Sequence, residues 1–154
     1  MVLISILKIA TGSRRRKARV APYHDRTVDR SALEDWLARY GRAWEMADPD
    51  AAVALFTEDA TYRETPFDEV MSGHDAIRAY WSDIPEYHRD VSFRWVVLDV
   101  REDRAIVHWR TTYTAVKTGK PTTLDGIFVL EFDESSGRCR TLREWWHGDP
   151  APGF

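Results

Sequence analysis

Asparagine and glutamine are absent from all 154 residues, so polar work inside this protein falls to carboxylates, hydroxyls, histidine, arginine and tryptophan. Cysteine is nearly absent too. The lone Cys139 excludes an internal disulfide and leaves no thiolate pair for a metal, which fits a reducing, cytoplasmic setting. Long apolar runs are also missing. The opening stretch from Met1 to Ala10 falls well short of the roughly 20 residues that a spanning helix needs, so no membrane partner is expected. Its positive cluster follows the apolar run and no small-residue cleavage pattern is present, so it does not read as a signal peptide. His24, His74, His88, His108 and His147 show no metal-site spacing, and neither a complete glycine-rich phosphate loop nor a nucleophile elbow occurs. No metal and no cofactor are expected.

What the chain does have is aromatic surface. Seven Trp, six Tyr and six Phe, within a composition 44% hydrophobic and 31% charged, describe one soluble domain able to line a cavity. The net charge of −3 is unevenly spread: residues 1–27 hold seven Lys or Arg and one acidic residue, leaving 15 basic against 24 acidic, a net −9, for the rest. An acidic domain repels phosphate backbones, so nucleic acid is not an expected partner; only the arm from Arg14 to Arg19 could contact it. The reading is a basic, disordered leader over 1–27, a domain over 28–149 and a tail over 150–154.

Within the domain, Ser31-Ala32-Leu33-Glu34 has the form of a capping box, and Leu33, Leu37, Tyr40 and Trp44 recur at helical spacing, which predicts a helix over 32–47. Asp48-Pro49 opens a short second helix through Val53, Leu55 and Phe56. An extended segment over 60–65 stops at Pro66, and a third helix follows over 73–84, with Pro85 just past its end. The period then changes to two over 91–100, 104–117, 122–132 and 138–147, with hairpin-length turns between. This predicts an antiparallel meander. A two-residue turn at Thr118-Gly119 sets Trp109 opposite Phe128 and turns His108 and Arg110 outward, whereas a three-residue turn would substitute Arg110. The expected class is α+β: a curved antiparallel sheet packed on three N-terminal helices around a conical pocket.

The element order, with Leu55-Phe56-Thr57-Glu58-Asp59-Ala60-Thr61, the helix start Gly73-His74-Asp75-Ala76-Ile77-Arg78 and the terminal Leu142-Arg143-Glu144-Trp145-Trp146, resembles the nuclear transport factor 2-like superfamily over residues 31–148. Its SnoaL-like, polyketide-cyclase-like branch is the nearest in pattern. The superfamily holds enzymes and non-enzymes, so the resemblance bears on fold more than on function. Laid over ketosteroid isomerases, Tyr40 falls where those enzymes keep the tyrosine that donates to the developing oxyanion, and Glu64 where they keep the carboxylate base. Their second donor, a protonated aspartate, corresponds to Phe128, which donates nothing. Asp125, three residues away, should face the opposite side. The epoxide hydrolases of this fold carry an acid that would correspond to Glu144 and an arginine matched by Arg110, but their second aspartate falls on Thr112.

Two readings of Glu64 stand side by side. Set between Tyr62 and Phe67, it is either a desolvated general base or a solvated strand-end carboxylate paired with an arginine. Tyr40 is likewise a donor or a core residue. Trp44, Trp81, Trp109 and Trp146, with Tyr62, Phe67, Phe128 and Glu144, are the expected ligand contacts, and the expected ligand is a small apolar or cyclic molecule. The function read from this is proton transfer by Glu64, with Tyr40 as oxyanion donor, in a cofactor-independent isomerase, cyclase or dehydratase acting on a cyclic carbonyl compound. The alternative is a non-catalytic ligand-binding or dimeric accessory domain. A homodimer would join through the outer face of the sheet.

Overall fold

The computed structural model describes residues 28–149; the leader and tail read from the sequence lie outside the described residues. The first helix, α1 (Arg30–Glu45), buries Leu33, Trp36, Leu37, Tyr40, Gly41, Ala43 and Trp44. That stripe is the third-and-fourth-residue pattern expected of it, widened by Trp36. The capping box is not used. Asp29 is the N-cap, its carboxylate accepting from the Ser31 N–H at 3.0 Å, and Glu34 pairs with Arg30 at 3.0 Å. A charged acceptor at the positive end of a helix serves better than a serine hydroxyl inside the first turn. In α2 (Pro49–Val53), Asp48 caps as expected by accepting from the Ala51 N–H at 2.9 Å. The third helix, α3 (Gly73–Tyr87), runs past Ile84 because Pro85 falls in its last turn, where one missing N–H leaves the ladder otherwise intact; the His88 N–H still bonds the Ile84 carbonyl.

Six strands follow this order: β1 (Phe56–Arg63), β2 (Met71–Ser72), β3 (His88–Arg101), β4 (Arg104–Ala115), β5 (Pro121–Phe132) and β6 (Cys139–Asp149). They form one curved sheet arranged β2-β1-β6-β5-β4-β3. The meander from β3 to β6 is antiparallel, as expected. Two features were not read from the sequence. A two-residue strand, β2, pairs with β1, and β1 itself runs parallel to β6, so the whole sheet is mixed. The chain leaves β1 through β2 and α3, crosses to the far edge, and the meander returns its last strand beside β1 in the same direction.

The β4–β5 register differs from the expected one by two residues. Trp109 sits opposite Gly126 instead of Phe128, because the connection is a four-residue turn closed by the Ala115 N–H bonding the Lys120 carbonyl at 2.8 Å. A shift of two preserves every face, since side chains alternate with that period. His108 and Arg110 do point outward, where both bind Asp125 at 2.8 Å. The cross-strand row Val96, His108, Ile127 and Trp145 lies on that outer face.

On the inner face, aromatic rings meet around Tyr40, whose ring lies between 5.1 and 6.4 Å from those of Trp36, Trp44, Trp81, Phe93 and Phe128. Two glycines permit this closeness. A Cβ on Gly41 would stand 2.7 Å from the Phe93 ring, and one on Gly126 would stand 2.6 Å from the Trp145 carbonyl and 2.8 Å from the Trp109 indole. Among the described residues no helix is long and apolar enough to cross a membrane.

Candidate active site

The parallel β1–β6 pairing builds the site. Tyr62 is in register with Leu142 and Arg63 with Arg143, so the next step sets Glu64, just past the end of β1, beside Glu144. Neighbouring strands lie about 4.8 Å apart, and Tyr62 and Glu64 alternate inward just as Leu142, Glu144 and Trp146 do. Two carboxyl groups thus face one interior. Glu144 is only 5% exposed, while Glu64 is half-buried. The Tyr62 hydroxyl donates to Glu144 at 3.0 Å and meets the Tyr40 hydroxyl at 2.8 Å. Helix α1 supplies Tyr40, so the phenol chain spans from helix to sheet.

Neither carboxyl has an ion-pair partner among the described residues. Burial pushes the Glu144 carboxyl well above the ordinary range, the charge of Glu64 adds to this, and the Tyr62 hydrogen bond opposes it. Glu64 is raised too, by burial first and by Asp68 second, with the Tyr80 hydroxyl pulling the other way. Burial likewise raises the hydroxyl pKa of Tyr40, Tyr62 and Tyr80, so all three stay protonated. His88, stripped of water, falls to about 4 and is neutral.

These groups line a recess with about 20 Å³ of free space, room for one water-sized occupant. Its polar side is Tyr40, Tyr62, Glu64, Tyr80 and Glu144; its aromatic side is Trp44, Trp81, Trp109 and Trp146 with His88, closed by Ile84 and Leu124. Eight of the ten expected site residues therefore meet: Tyr40, Trp44, Tyr62, Glu64, Trp81, Trp109, Glu144 and Trp146. The other two do not. Phe67 is 96% exposed in the turn beyond Pro66, which carries its side chain away from the domain. Phe128 is fully buried beneath the wall, stacked on Trp109 at 5.1 Å. Tyr80 and His88 were missed. Tyr80 lies next to Trp81 in the third helix, where helical spacing alone does not single it out, while His88 falls in the gap before the strand expected from 91. A larger hollow of about 340 Å³, between the start of α1 and the β5–β6 turn, shares no lining residue with this recess.

The two shifted groups have opposite consequences for stability. A carboxyl raised on folding stabilises the folded state at low pH, and that contribution is lost as pH rises from the unfolded value near 4.5 through the folded one. A histidine lowered from 6.5 to about 4 contributes above 6.5 and loses that contribution as pH falls toward 4. His88 is common to both proteins, so the difference between the wild type and Glu144→Gln isolates the carboxyl. In thermal melts taken upward from pH 4.5, the wild type should lose stability relative to Glu144→Gln. A difference that does not change with pH would show that Glu144 is not raised.

A curved, six-stranded mixed sheet with few helices is the architecture of the nuclear transport factor 2-like superfamily. Within it the chain belongs to the SnoaL-like domain family, which it matches over residues 37–140. Among solved structures it is similar to the epoxide hydrolase/cyclase-like enzyme SalBIII of pyran ring formation in the polyether salinomycin. The identity is 21%, the alignment covers 77% of this chain and 93% of that one, and the TM-score is 0.66. It is also similar to a ketosteroid isomerase-like protein from Erwinia carotovora atroseptica, at 21% identity over 74% of this chain and 92% of that one, with a TM-score of 0.60. Among curated proteins none matches the sequence.

Proposed function

We propose that the recess, its lining side chains moving apart to admit more than the one water-sized occupant it has room for, carries out acid–base catalysis on a small, mainly apolar cyclic carbonyl compound, as an isomerase, cyclase or dehydratase. The observation that carries this is the pairing of two carboxyl groups at different depths in one aromatic recess, with no ion-pair partner for either among the described residues. Unequal burial separates their roles. Glu64, the shallower, ionises first and takes the proton beside the carbonyl; Glu144, the deeper, stays protonated while Glu64 is ionised.

The state of Glu144 governs Tyr40. A phenol has one proton to donate. With Glu144 ionised, Tyr62 donates to it and Tyr40 donates to Tyr62, leaving Tyr40 nothing for a ligand. With Glu144 protonated the chain reverses: Glu144 donates to Tyr62, Tyr62 to Tyr40, and the Tyr40 proton is free for a carbonyl oxygen. The donor role of Tyr40 thus depends on a neutral acid two links away. Ring closure, double-bond migration and loss of water all begin from the enolate so stabilised.

Proton NMR of a panel of small cyclic ketones in deuterated buffer tests this. The protein should speed the loss of the signal from protons beside the carbonyl; exchange no faster than in buffer across the panel would overturn the proposal.

A further inference from the structure

A space for one water does not enclose a ring, so even with its walls parted the recess leaves part of a cyclic ligand standing at its mouth. Glu64 marks that mouth, since it lines the recess and is only half-buried. From Glu64 the chain runs straight into the connection 64–70, between the end of β1 at Arg63 and the start of β2 at Met71. That connection is built as a separate unit. Thr65-Pro66-Phe67-Asp68 is a β-turn with proline in its second place, closed by the Asp68 N–H bonding the Thr65 carbonyl at 3.3 Å. The Thr65 hydroxyl donates to the Asp68 carboxylate at 2.9 Å and accepts from the Phe67 N–H at 3.4 Å. All three bonds are internal, and among the described residues no hydrogen bond joins 65–69 to a helix or a strand. The turn is bonded within itself and hinged at its two ends.

At its tip the Phe67 ring lies almost wholly in water. Single exposed apolar side chains are ordinary, and it is position that sets this one apart. Three residues of chain span at most about 11 Å, so the ring is tethered within reach of the mouth. Its neighbour Asp68 is near enough for its charge to act on Glu64. We propose that residues 65–69 are a lid hinged beside Glu64, which folds the Phe67 ring over the part of a ligand left standing at the mouth. Phe67 is then a specificity residue that favours ketones with an apolar body beyond the reacting ring. Because the turn is already bonded internally, closing it orders few torsions. The inference rests on the acid–base reading, which makes the recess the ligand site.

2-Decalone and cyclohexanone share one reacting ring, and the first adds a second, apolar ring. In Phe67→Ala the melting temperature should hold, because the side chain is exposed. KM for deuterium exchange into 2-decalone should rise roughly tenfold with kcat unchanged, about what covering half of a phenyl ring is worth. KM for cyclohexanone should hardly change, and Phe67→Leu should recover most of the loss. Fluorine NMR of the full chain carrying 4-fluorophenylalanine, with Phe67→Leu to assign the signal, reads the lid without turnover. Adding 2-decalone should reduce the shift that the Phe67 signal shows between H2O and D2O. If that signal keeps its full solvent shift at the highest soluble 2-decalone concentration, or if Phe67→Ala handles both ketones as the wild type does, there is no lid, and exchange alone decides the acid–base reading. If the signal responds to 2-decalone while neither ketone exchanges, the lid stands and the acid–base reading falls.

Discussion

Glu64→Gln is expected to slow protein-catalysed deuterium exchange into a cyclic ketone by about 10²- to 10⁴-fold, the usual contribution of a positioned general base. Stability should not fall with it. Glutamine keeps the shape of the side chain and removes a charge that burial and Asp68 both oppose, so the melting temperature near neutral pH should hold or rise. The same substitution at Glu144 should behave differently. A protonated carboxyl and a carboxamide can each donate one hydrogen bond to Tyr62, so Glu144→Gln should retain much of the activity that Glu64→Gln loses. Were Glu144 the base, the ranking would invert. A loss of less than tenfold at Glu64 would remove it from the base role.

Trp36→Ala should destabilise the fold by about 3–5 kcal/mol, the range for emptying a large aromatic from a core, as read from chemical denaturation. Trp36 is 1% exposed, stacks on Tyr40 at 5.2 Å and meets Phe56 and Phe132 edge-on. Its N–H donates to the Leu55 carbonyl at 3.0 Å, which ties α1 to the start of β1. Trp36→Phe separates the two parts: most of the ring remains and the hydrogen bond is lost, for roughly 1 kcal/mol beyond the volume change. An alanine variant within 1 kcal/mol of wild type would show that α1 is not anchored through this indole.

Much of this was legible in the sequence because alternation and helical spacing are local signals. They gave the helices, the four-strand meander and the inward set Trp109, Phe128 and Glu144, and the inward set survived a two-residue error in the β4–β5 register. Strand partnership is not local. Nothing between Phe56 and Arg63 announces that β1 will lie parallel to a strand some 80 residues later, so Glu64 was read against Tyr40 and the adjacency of Glu144 was out of reach. Phe67 failed for a related reason. Its place beside Glu64 in sequence suggested a wall residue, but alternation holds only within a strand, and β1 ends at Arg63. Tyr80 and His88 came into the site through the angle at which α3 crosses the sheet, which spacing along the chain does not encode.

The central claim is that two carboxyl groups share one recess with their ionisations pushed upward and apart. Carbon-13 NMR of glutamate-labelled protein, titrated from acid to alkaline pH with Glu64→Gln and Glu144→Gln to assign the signals, measures this directly. Two carboxyl resonances should titrate above the ordinary glutamate range, Glu144 after Glu64, and removing Glu64 should bring Glu144 down. Both groups titrating together near 4.5, each indifferent to loss of the other, would contradict the account.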